Sequence, residues 1–527
     1  MNLVRSFSSI GILTLVSRVL GFVRDMLMAR FLGAGFASDA FLIAFRLPNM
    51  FRALFAEGAF ASAFVPSFNR KVGEDDGRLD RALLFAEQAL AILLPFLILF
   101  TGLLMLLAGP AVLLLSGGFN DVTPDQFAFA TELARITFPY LLFISLVSLL
   151  GGILNSLHRF WVNAAAPILL NLTLITALLF FHGTDDQGYG TARAQAWGVT
   201  ISGVLQFLWL WLACRRAGVK LKLRMPRLND DVKQLLKLIW PAAAGAGAMQ
   251  INLVVSTMLA ARFLDEGSVS YIYYADRLNQ LPLGLVGIGL GTVLLPTIAR
   301  MLAGGDEKGA MDFQRKGLQL ALFLALPATA ALIVGAEPII RGLLQYGAFT
   351  EADAVATAWA LAAFSTGLPA YILAKVLTPG FHARQDMKTP LKFALVSMVV
   401  NLALNFALIF PLQHIGPPLA TATASWVNVT LLYLTLRKRG HFTLDRKLAS
   451  RIARLALAAA LMATALFAAT PWIRPFLAGN FEHRVAGLAL LVGGGIIVYA
   501  VAVFVTRAYS LAELRTFLRR KPKQKAD

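Results

Sequence analysis

Long apolar stretches occur at intervals along the whole chain. A helix that crosses the hydrocarbon core of a bilayer needs about 20 predominantly apolar residues, and fourteen stretches come close to or exceed that length. They cover residues 10–31, 37–68, 83–115, 127–154, 161–181, 194–213, 235–263, 269–299, 317–334, 354–379, 391–410, 418–436, 448–469 and 485–505. These stretches are too long and too uniformly apolar for barrel strands, and backbone groups in lipid must be satisfied within their own segment. The pattern therefore predicts an all-α polytopic membrane protein with 14 transmembrane helices.

Composition and charge support this class and explain the basic character of the chain. The 527 residues are 58% hydrophobic and 15% charged, with a mean hydropathy of +0.68, which is too apolar for a soluble protein of this size. With the N-terminus inside, 35 of the 48 Lys and Arg lie at one membrane surface, seven at the other and six within the membrane. This bias predicts that both termini are cytoplasmic. The net charge of +19 therefore reports topology, and we expect no nucleic-acid partner. The first stretch carries arginines and leads straight into the second, so we expect no cleaved signal peptide.

The chain also repeats itself. The sequence ARFLGAGFAS at 29–38 has a counterpart, ARFLDEGSVS, at 261–270, displaced by 232 residues. The displacement is 230 for Pro66 with Pro296, Arg70 with Arg300, Pro139 with Pro369 and Asn171 with Asn401. The repeat predicts two pseudo-symmetric six-helix lobes, related by an axis along the membrane normal, with the substrate site between them. We place the first lobe at 1–217, the second at 218–440, two additional helices at 441–509 and a basic cytoplasmic tail at 510–527.

Charged residues inside the apolar stretches are the candidate functional residues. A charge at the middle of a spanning helix costs roughly 2.5 to 3.5 kcal/mol, so such residues normally face a polar cavity. The first two stretches contain Arg18, Arg24, Asp25, Asp39, Arg46, Arg52 and Glu57, and later stretches contain Asp276, Arg277 and Lys375. The repeat places Gln250 opposite Arg18 and Ser256 opposite Arg24, so the duplicated scaffold does not require these cations. Arginine donates two parallel hydrogen bonds to phosphate oxygens, which indicates an anionic, phosphorylated substrate.

Structural explanations of the same charges stay open at this point. Arg18 and Asp25 are seven residues apart on one helical face and would neutralise each other, while Arg24 snorkels to an interface. Arg277 and Lys375 would snorkel in the same way. Asp39 and Glu57 would act as counter-ions, as gate latches or as a structural pair.

Signals of catalysis are weak. The six histidines are scattered without metal-ligand spacing, there is no phosphate-binding loop ending in Gly-Lys-Ser/Thr, and Cys214 is the sole cysteine. We therefore expect a protein that is not an enzyme, with no metal and no cofactor. A transferase or phosphatase acting on polyprenyl phosphates would need a cluster of His and Asp at a membrane surface. The basic linker 215–237 and the basic tail are most simply membrane-surface anchors.

Four motifs carry a resemblance that covers essentially the whole chain. They are SRVLGFVRD (17–25), ASDAFLIAFRLPNMFRALFAEGAF (37–60), YYADRLNQLPLG (273–284) and ARQDMKTP (383–390). They closely resemble the MurJ (MviN) family of lipid II flippases, within the multidrug/oligosaccharidyl-lipid/polysaccharide exporter superfamily. The resemblance implies two six-helix lobes around a central cationic cavity, and two last helices that line a groove for a polyprenyl tail. It also implies that Arg18, Arg24, Arg52 and Arg277 are essential, with Asp39 as a matching acidic residue and Lys375 as a further functional cation.

The expected activity is transport of lipid II, the undecaprenyl-diphosphate-linked peptidoglycan precursor, across the bacterial cytoplasmic (inner) membrane by alternating access, for cell wall synthesis and cell shape. The expected substrate-binding residues are Arg18, Arg24, Arg52, Arg277 and Lys375, and the expected gate or counter-ion residues are Asp25, Asp39, Glu57 and Asp276. Expected partners are lipid II, membrane lipids and cell-wall synthesis proteins. Some family members bind sodium, but residues 248–255 here read AMQINLVV without a carboxylate, so sodium coupling stays open. The alternative is a flippase for another polyprenyl-linked oligosaccharide, or a drug exporter of the same superfamily, although a carrier of drug cations would prefer carboxylates to arginines.

Overall fold

A computed structural model of the chain describes residues 3–56, 59–73, 79–183 and 187–509. Glu57, one of the expected gate residues, and the basic tail at 510–527 lie outside these residues. All regular structure within the described ranges is helical, which confirms the predicted fold class. It comprises one 3₁₀ turn, Gln413–Ile415, and nineteen α-helices: α1 (Leu3–Leu32), α2 (Phe36–Ala56), α3 (Ala59–Gly73), α4 (Asp80–Leu106), α5 (Ala108–Ser116), α6 (Pro124–Thr137), α7 (Tyr140–Ser156), α8 (Phe160–Phe180), α9 (Tyr189–Arg216), α10 (Asp230–Phe263), α11 (Ser268–Ala303), α12 (Glu307–Val334), α13 (Ala336–Leu344), α14 (Glu351–Ser365), α15 (Leu368–His382), α16 (Lys388–Leu412), α17 (Gly416–Lys438), α18 (Arg446–Leu477) and α19 (Phe481–Val505).

Each of the fourteen predicted stretches falls on one helix or on two successive helices, so the structure is consistent with the predicted count. Two of the divided stretches break at repeat-related prolines. The break between α6 and α7 contains Pro139, and α15 has Pro369 in its first turn. Proline lacks a backbone N–H and its ring clashes with the preceding turn, so a helix begins at it more readily than it continues through it.

Several helices begin at a side chain that caps their free backbone N–H groups. Thr123 and Gln126 form a capping box at the start of α6, with hydrogen bonds of 3.2 Å and 2.9 Å. Asn229, Asp306 and Asp445 accept from backbone N–H groups at the starts of α10, α12 and α18. A cap of this kind stabilises a helix by about 0.5 to 2 kcal/mol. These polar residues therefore mark where the spanning helices begin.

The first compact unit contains residues up to Ser270 together with Tyr346–Thr350. Within it, α1 packs on α8, α8 on α9, α2 on α6 and α7, and α10 on α3 and α5. Ala348 N donates to Arg30 O at 2.8 Å, which joins the short second segment to the end of α1. Gly33 has a φ of +69° there, and an added Cβ would lie 2.7 Å from Ala348 O. The lobe boundary at 217/218 stays a prediction, and α10, which follows that boundary, packs within this first unit.

The second compact unit contains Tyr271–Gln345 and the chain from Glu351 onward. Helix α12 packs on α15 and α18, α16 packs on α17, and α18 packs on α19. The two additional helices predicted at 441–509 correspond to α18 and α19. Their apolar cluster includes Leu455, Met462 and Tyr499, and the Tyr499 hydroxyl donates to Phe323 O of α12 at 2.9 Å. These two helices are thus anchored on α12.

Many helices of both units carry exposed apolar side chains. Examples are Leu99 and Leu106 on α4, Phe410 on α16 and Ile497 on α19, each at least 66% exposed. Among the described residues, nine segments are long and apolar enough to cross a bilayer. Apolar surface of this extent is stable in contact with lipid rather than with water.

Candidate functional site

Arg24 lies at the centre of a buried polar network on α1. The Arg24 side chain donates to Asp25 Oδ1 from Nε at 3.0 Å and from Nη2 at 2.6 Å, and it donates from Nη1 to Asn171 Oδ1 at 3.2 Å. Asn171 belongs to α8, and its Nδ2 donates to Ser17 O at 2.9 Å. Arg24 is only 7% exposed and Asp25 only 4%. The network fixes the guanidinium and compensates its charge in a low-dielectric surrounding.

This network overturns one structural explanation of the charges. The pairing of Arg18 with Asp25 is wrong, because the Asp25 carboxylate binds the Arg24 guanidinium, and Arg24 is buried rather than snorkelling. Neighbouring residues of a helix project in directions about 100° apart, so sequence spacing did not indicate this pair. The arginine side chain is long enough to reach the neighbouring carboxylate despite this difference in direction. Arg18, by contrast, is exposed on α1.

The two arginines of α2 bind polar groups within the first unit. Arg52 is half-buried, and its Nε donates to Asn49 Oδ1 at 3.0 Å, three residues earlier on the same helix. Arg46 Nη2 donates to Leu253 O of α10 at 3.1 Å. Asn49 therefore orients Arg52 in the way that Asn171 orients Arg24.

Asp39 lies at the start of α2 and binds the start of α11. Its Oδ2 accepts from Gly267 N at 2.8 Å, and its Oδ1 accepts from Ser270 N at 2.8 Å and from Ser270 Oγ at 2.5 Å. A carboxylate at free N–H groups of a helix start is favoured by hydrogen bonding and by the helix dipole. In these contacts Asp39 is a helix-capping group rather than a counter-ion of a cavity arginine.

A reciprocal contact runs in the opposite direction. Glu266, just before α11, accepts from Phe36 N at the start of α2 at 2.6 Å. Between these two capping contacts, Ser38 Oγ and Ser270 Oγ are hydrogen-bonded to each other at 2.8 Å. Ser38 and Ser270 are 232 residues apart, which is the displacement of the repeat. The starts of α2 and α11 thus hold each other through equivalent positions of the two repeats.

The remaining expected site residues lie in the second unit, on or against α11. Arg277 Nη2 donates to Tyr273 Oη at 3.2 Å, and its guanidinium carbon lies 5.0 Å from the centre of that ring. Asp276 accepts from Gln280 Nε2 at 2.5 Å. Lys375 of α15 is exposed and lies along Gly287, where an added Cβ would come within 2.8 Å of its Nζ. Gly287 follows Arg277 by ten residues, about 15 Å along the helix.

The structure also draws attention to residues that the sequence reasoning missed. In the sequence Asn171 stands out only as a member of the repeat, whereas its contact with Arg24 gives it a role in the structure. Arg46 was noted only as one of several cations, but a displacement of 231 aligns Arg46-Leu47 with Arg277-Leu278. That displacement lies between the two values that mark the repeat, so the signal was present in the sequence. Arg46 and Arg277 are therefore equivalent cations of the two repeats.

No three His, Cys, Asp or Glu side chains within the described part of the chain lie close enough together to hold a metal ion. Within each unit, taken by itself, the arginines described above instead have amide, phenol or carboxylate partners. Such an arrangement offers fixed N–H donors and positive charge, which is the chemistry that binds phosphate oxygens.

Comparisons with known proteins cover nearly the whole chain. The family described as "Lipid II flippase MurJ" matches residues 28–486. A relative from Rhizobium meliloti named "Probable lipid II flippase MurJ" is 42% identical over 99% of this chain and 97% of its own length. A solved structure described as lipid II flippase MurJ in an inward closed conformation has a TM-score of 0.76 and 26% identity, covering 97% of this chain and 99% of that chain.

A more distant solved structure shares the fold. It is an inward-facing multidrug resistance MATE family transporter of the MOP superfamily, with a TM-score of 0.66 and 17% identity, and it covers 80% of this chain and 94% of its own. The family match and the relatives at high coverage show that the chain belongs to the lipid II flippase MurJ family.

Proposed function

We propose that this protein moves lipid II from the inner to the outer leaflet of the bacterial inner membrane by alternating access. Membership of the family, whose model matches residues 28–486, supports this substrate, and the buried Arg24 network carries the proposal at the level of chemistry. Asp25 and Asn171 compensate the Arg24 charge within the fold, and a charge kept in an apolar helix normally has a functional role, here the binding of a diphosphate. The protein transports its substrate without changing it chemically.

In this mechanism the guanidinium groups of Arg24, Arg52 and Arg277 bind diphosphate oxygens during the transport cycle. Their partners Asn171, Asn49 and Tyr273 limit the orientations of the three groups, so less conformational entropy is lost when the headgroup binds. Exposed Arg18 and Lys375 add positive potential that attracts the anionic headgroup.

Asp39 serves as a latch in the same cycle. Its hydrogen bonds to Gly267 and Ser270 hold the starts of α2 and α11 together, and opening toward the outer leaflet requires these bonds to break. The reciprocal bond from Phe36 N to Glu266 breaks in the same step.

Orientation and driving force complete the proposal. The Lys and Arg distribution favours cytoplasmic N- and C-termini. A cavity cation that moves across the membrane potential gains or loses about 2.3 kcal/mol per 100 mV. The membrane potential therefore drives the return of the carrier to its starting conformation. Helix α10 offers no carboxylate at 248–255, which favours transport without sodium. Cell-wall synthesis proteins are the proposed consumers of the delivered substrate.

The test is complementation of a strain depleted of its own lipid II flippase, together with an assay of lipid II accessibility at the outer leaflet. The wild-type chain is expected to restore growth and outer-leaflet lipid II, whereas Arg24→Ala, Arg52→Ala and Arg277→Ala are expected to reach the membrane without restoring either. Normal growth with all three variants would refute the assignment of the arginines. Transport of another polyprenyl-linked oligosaccharide in place of lipid II would refute the substrate.

A further inference from the structure

Residues 219–229 connect α9 to α10 without helical structure and are held firmly against α4. Lys222 N donates to Glu87 Oε1 at 2.9 Å, and the Arg224 guanidinium forms an ion pair with the other oxygen of the same carboxylate. Asn229 Nδ2 donates to Gln88 Oε1 at 2.7 Å. Glu87 is only 5% exposed, so both of its oxygens are used to fix this segment.

The outward side of the segment combines apolar and basic side chains. Leu223 is 75% exposed, Met225 80% and Leu228 62%. Exposed basic residues separate and flank them, namely Lys220, Lys222, Arg224 and Arg227. The high exposure of Leu223, Met225 and Leu228 shows that these side chains do not pack on the protein surface to which Arg224 is held by Glu87. The segment is too apolar to be stable in water and too charged for hydrocarbon, a combination typical of the membrane interface.

Neighbouring aromatic residues indicate the depth of the segment. Arg215, at the end of α9, lies over the ring of Trp211 with its guanidinium carbon 4.7 Å from the ring centre. On the same helix, Trp209 packs edge-on against Trp161 of α8. Tryptophan is enriched at the level of the lipid headgroups. The segment begins about two helical turns after Trp211 of α9 and therefore lies at the headgroup level.

We propose that residues 219–229, the interfacial segment, bind anionic phospholipid. Leu223, Met225 and Leu228 insert between headgroups, while Lys220, Lys222 and Arg227 bind lipid phosphates. Arg224 is already engaged by Glu87 and holds the segment in place. This binding is separate from transport of lipid II, and in vesicles with identical leaflets it does not depend on the orientation of the chain.

The first experiment measures the depth of two adjacent side chains. Nitroxide labels are placed at Leu223→Cys or Lys222→Cys in a Cys214→Ala background, and the full chain is reconstituted in vesicles of phosphatidylcholine with phosphatidylglycerol. We expect the label at 223 to be accessible to oxygen and shielded from a water-soluble nickel chelate, and the label at 222 to be accessible to the chelate. Equal accessibility of both labels to the chelate would overturn insertion.

The second experiment measures lipid binding with a matched control. The variant K220Q/K222Q/R227Q removes three charges from the interfacial segment and leaves the Lys222 N bond to Glu87 intact. The variant K438Q/R446Q/K447Q removes three exposed charges near α17 and α18. Native mass spectrometry of the purified protein in mixed phospholipid is expected to show about tenfold less retained phosphatidylglycerol for the first variant and wild-type retention for the control.

Two results would overturn this part of the proposal. The first is equal loss of phosphatidylglycerol from both variants, which would mean that total charge rather than the segment determines binding. The second is wild-type retention in the variant of the interfacial segment. Neither experiment uses lipid II, so a failure here is distinguishable from a failure of the proposed transport function.

Discussion

Replacement of Asn171 by leucine tests whether the orientation of Arg24 matters for transport. Leucine has a similar volume but neither accepts from Arg24 Nη1 nor donates to Ser17 O. Asp25 still binds the guanidinium at 2.6 Å, so the buried charge keeps its compensation. We therefore expect Asn171→Leu to fold and insert while Arg24 loses one of the contacts that fix its direction.

The size of the effect follows from the two lost hydrogen bonds. A hydrogen bond to a charged group contributes about 1.5 to 3 kcal/mol, and a neutral one about 0.5 to 1.5 kcal/mol. Only the bond between Arg24 Nη1 and Asn171 Oδ1, which involves a charged group, acts on the guanidinium. Because about 1.4 kcal/mol corresponds to a factor of ten, its loss is expected to lower the transport rate by about tenfold to a hundredfold.

The repeat supplies a matched control for this variant. Asn401 is the counterpart of Asn171, and its side chain donates to Thr421 Oγ1 at 3.1 Å and accepts from Asn405 Nδ2 at 3.0 Å, both uncharged groups. Asn401→Leu is expected to lower the melting temperature, by no more than Asn171→Leu does, with little loss of transport. The assay is the rate at which lipid II becomes accessible at the outer leaflet, normalised to protein in the membrane. Equal transport by the two variants would refute the positioning role of Asn171.

Four further predictions concern other parts of the chain. Asp39→Asn removes the negative charge that caps α11, so hydrogen exchange of the amides at the start of α11 is expected to accelerate about tenfold. Unchanged exchange would contradict the role of Asp39 as a latch. Arg277→Lys keeps the charge but loses the planar fork stacked on Tyr273, so transport is expected to fall at least about tenfold, and wild-type transport would show that charge alone suffices. Replacement of sodium by choline on both sides of the membrane is expected to leave the transport rate unchanged, and a fall would establish sodium coupling. The Arg439 guanidinium donates to Asp386 at 2.7 Å and holds the pKa of this carboxyl well below its usual range. The ionised carboxylate therefore stabilises the fold above about pH 4, and this stabilisation is lost as the pH falls further. Wild type is therefore expected to melt higher than Asp386→Asn at neutral pH, by less than about 1 kcal/mol in stability, with the difference disappearing in acid; a gap that does not change with pH would contradict this.

Much of the fold could be predicted from the sequence, because a bilayer leaves a hydrophobic segment few alternatives to a helix. The stretch at 235–263 corresponds closely to α10, and that at 485–505 ends where α19 ends. The breaks within stretches were less evident. Leu107, between α4 and α5, is not a helix-breaking residue type, but Pro110 in the first turn of α5 has no N–H to donate to the Leu106 carbonyl.

The charged residues of the candidate site could be singled out from the sequence, whereas their hydrogen-bond partners could not. A charge in an apolar stretch is conspicuous in sequence because of its cost, so Arg24, Asp39 and Arg277 stood out. Their partners are a neighbour on the same turn, the backbone of a helix 228 residues away and a tyrosine one turn back. Apart from Asp25, these partners are uncharged, and uncharged partners carry no signal that distinguishes them from residues of the core.

The contact between Ser38 and Ser270 has an evolutionary consequence. When two copies of one chain form a dimer with two-fold symmetry, a residue on the axis touches its own copy. A hydrogen bond between repeat-equivalent serines preserves that arrangement inside a single polypeptide. The next position has diverged to Asp39 in one repeat and Tyr271 in the other. Fusion of the two copies thus allowed one side of a self-complementary contact to change without the other. In an obligate homodimer with identical subunits, every substitution changes both sides.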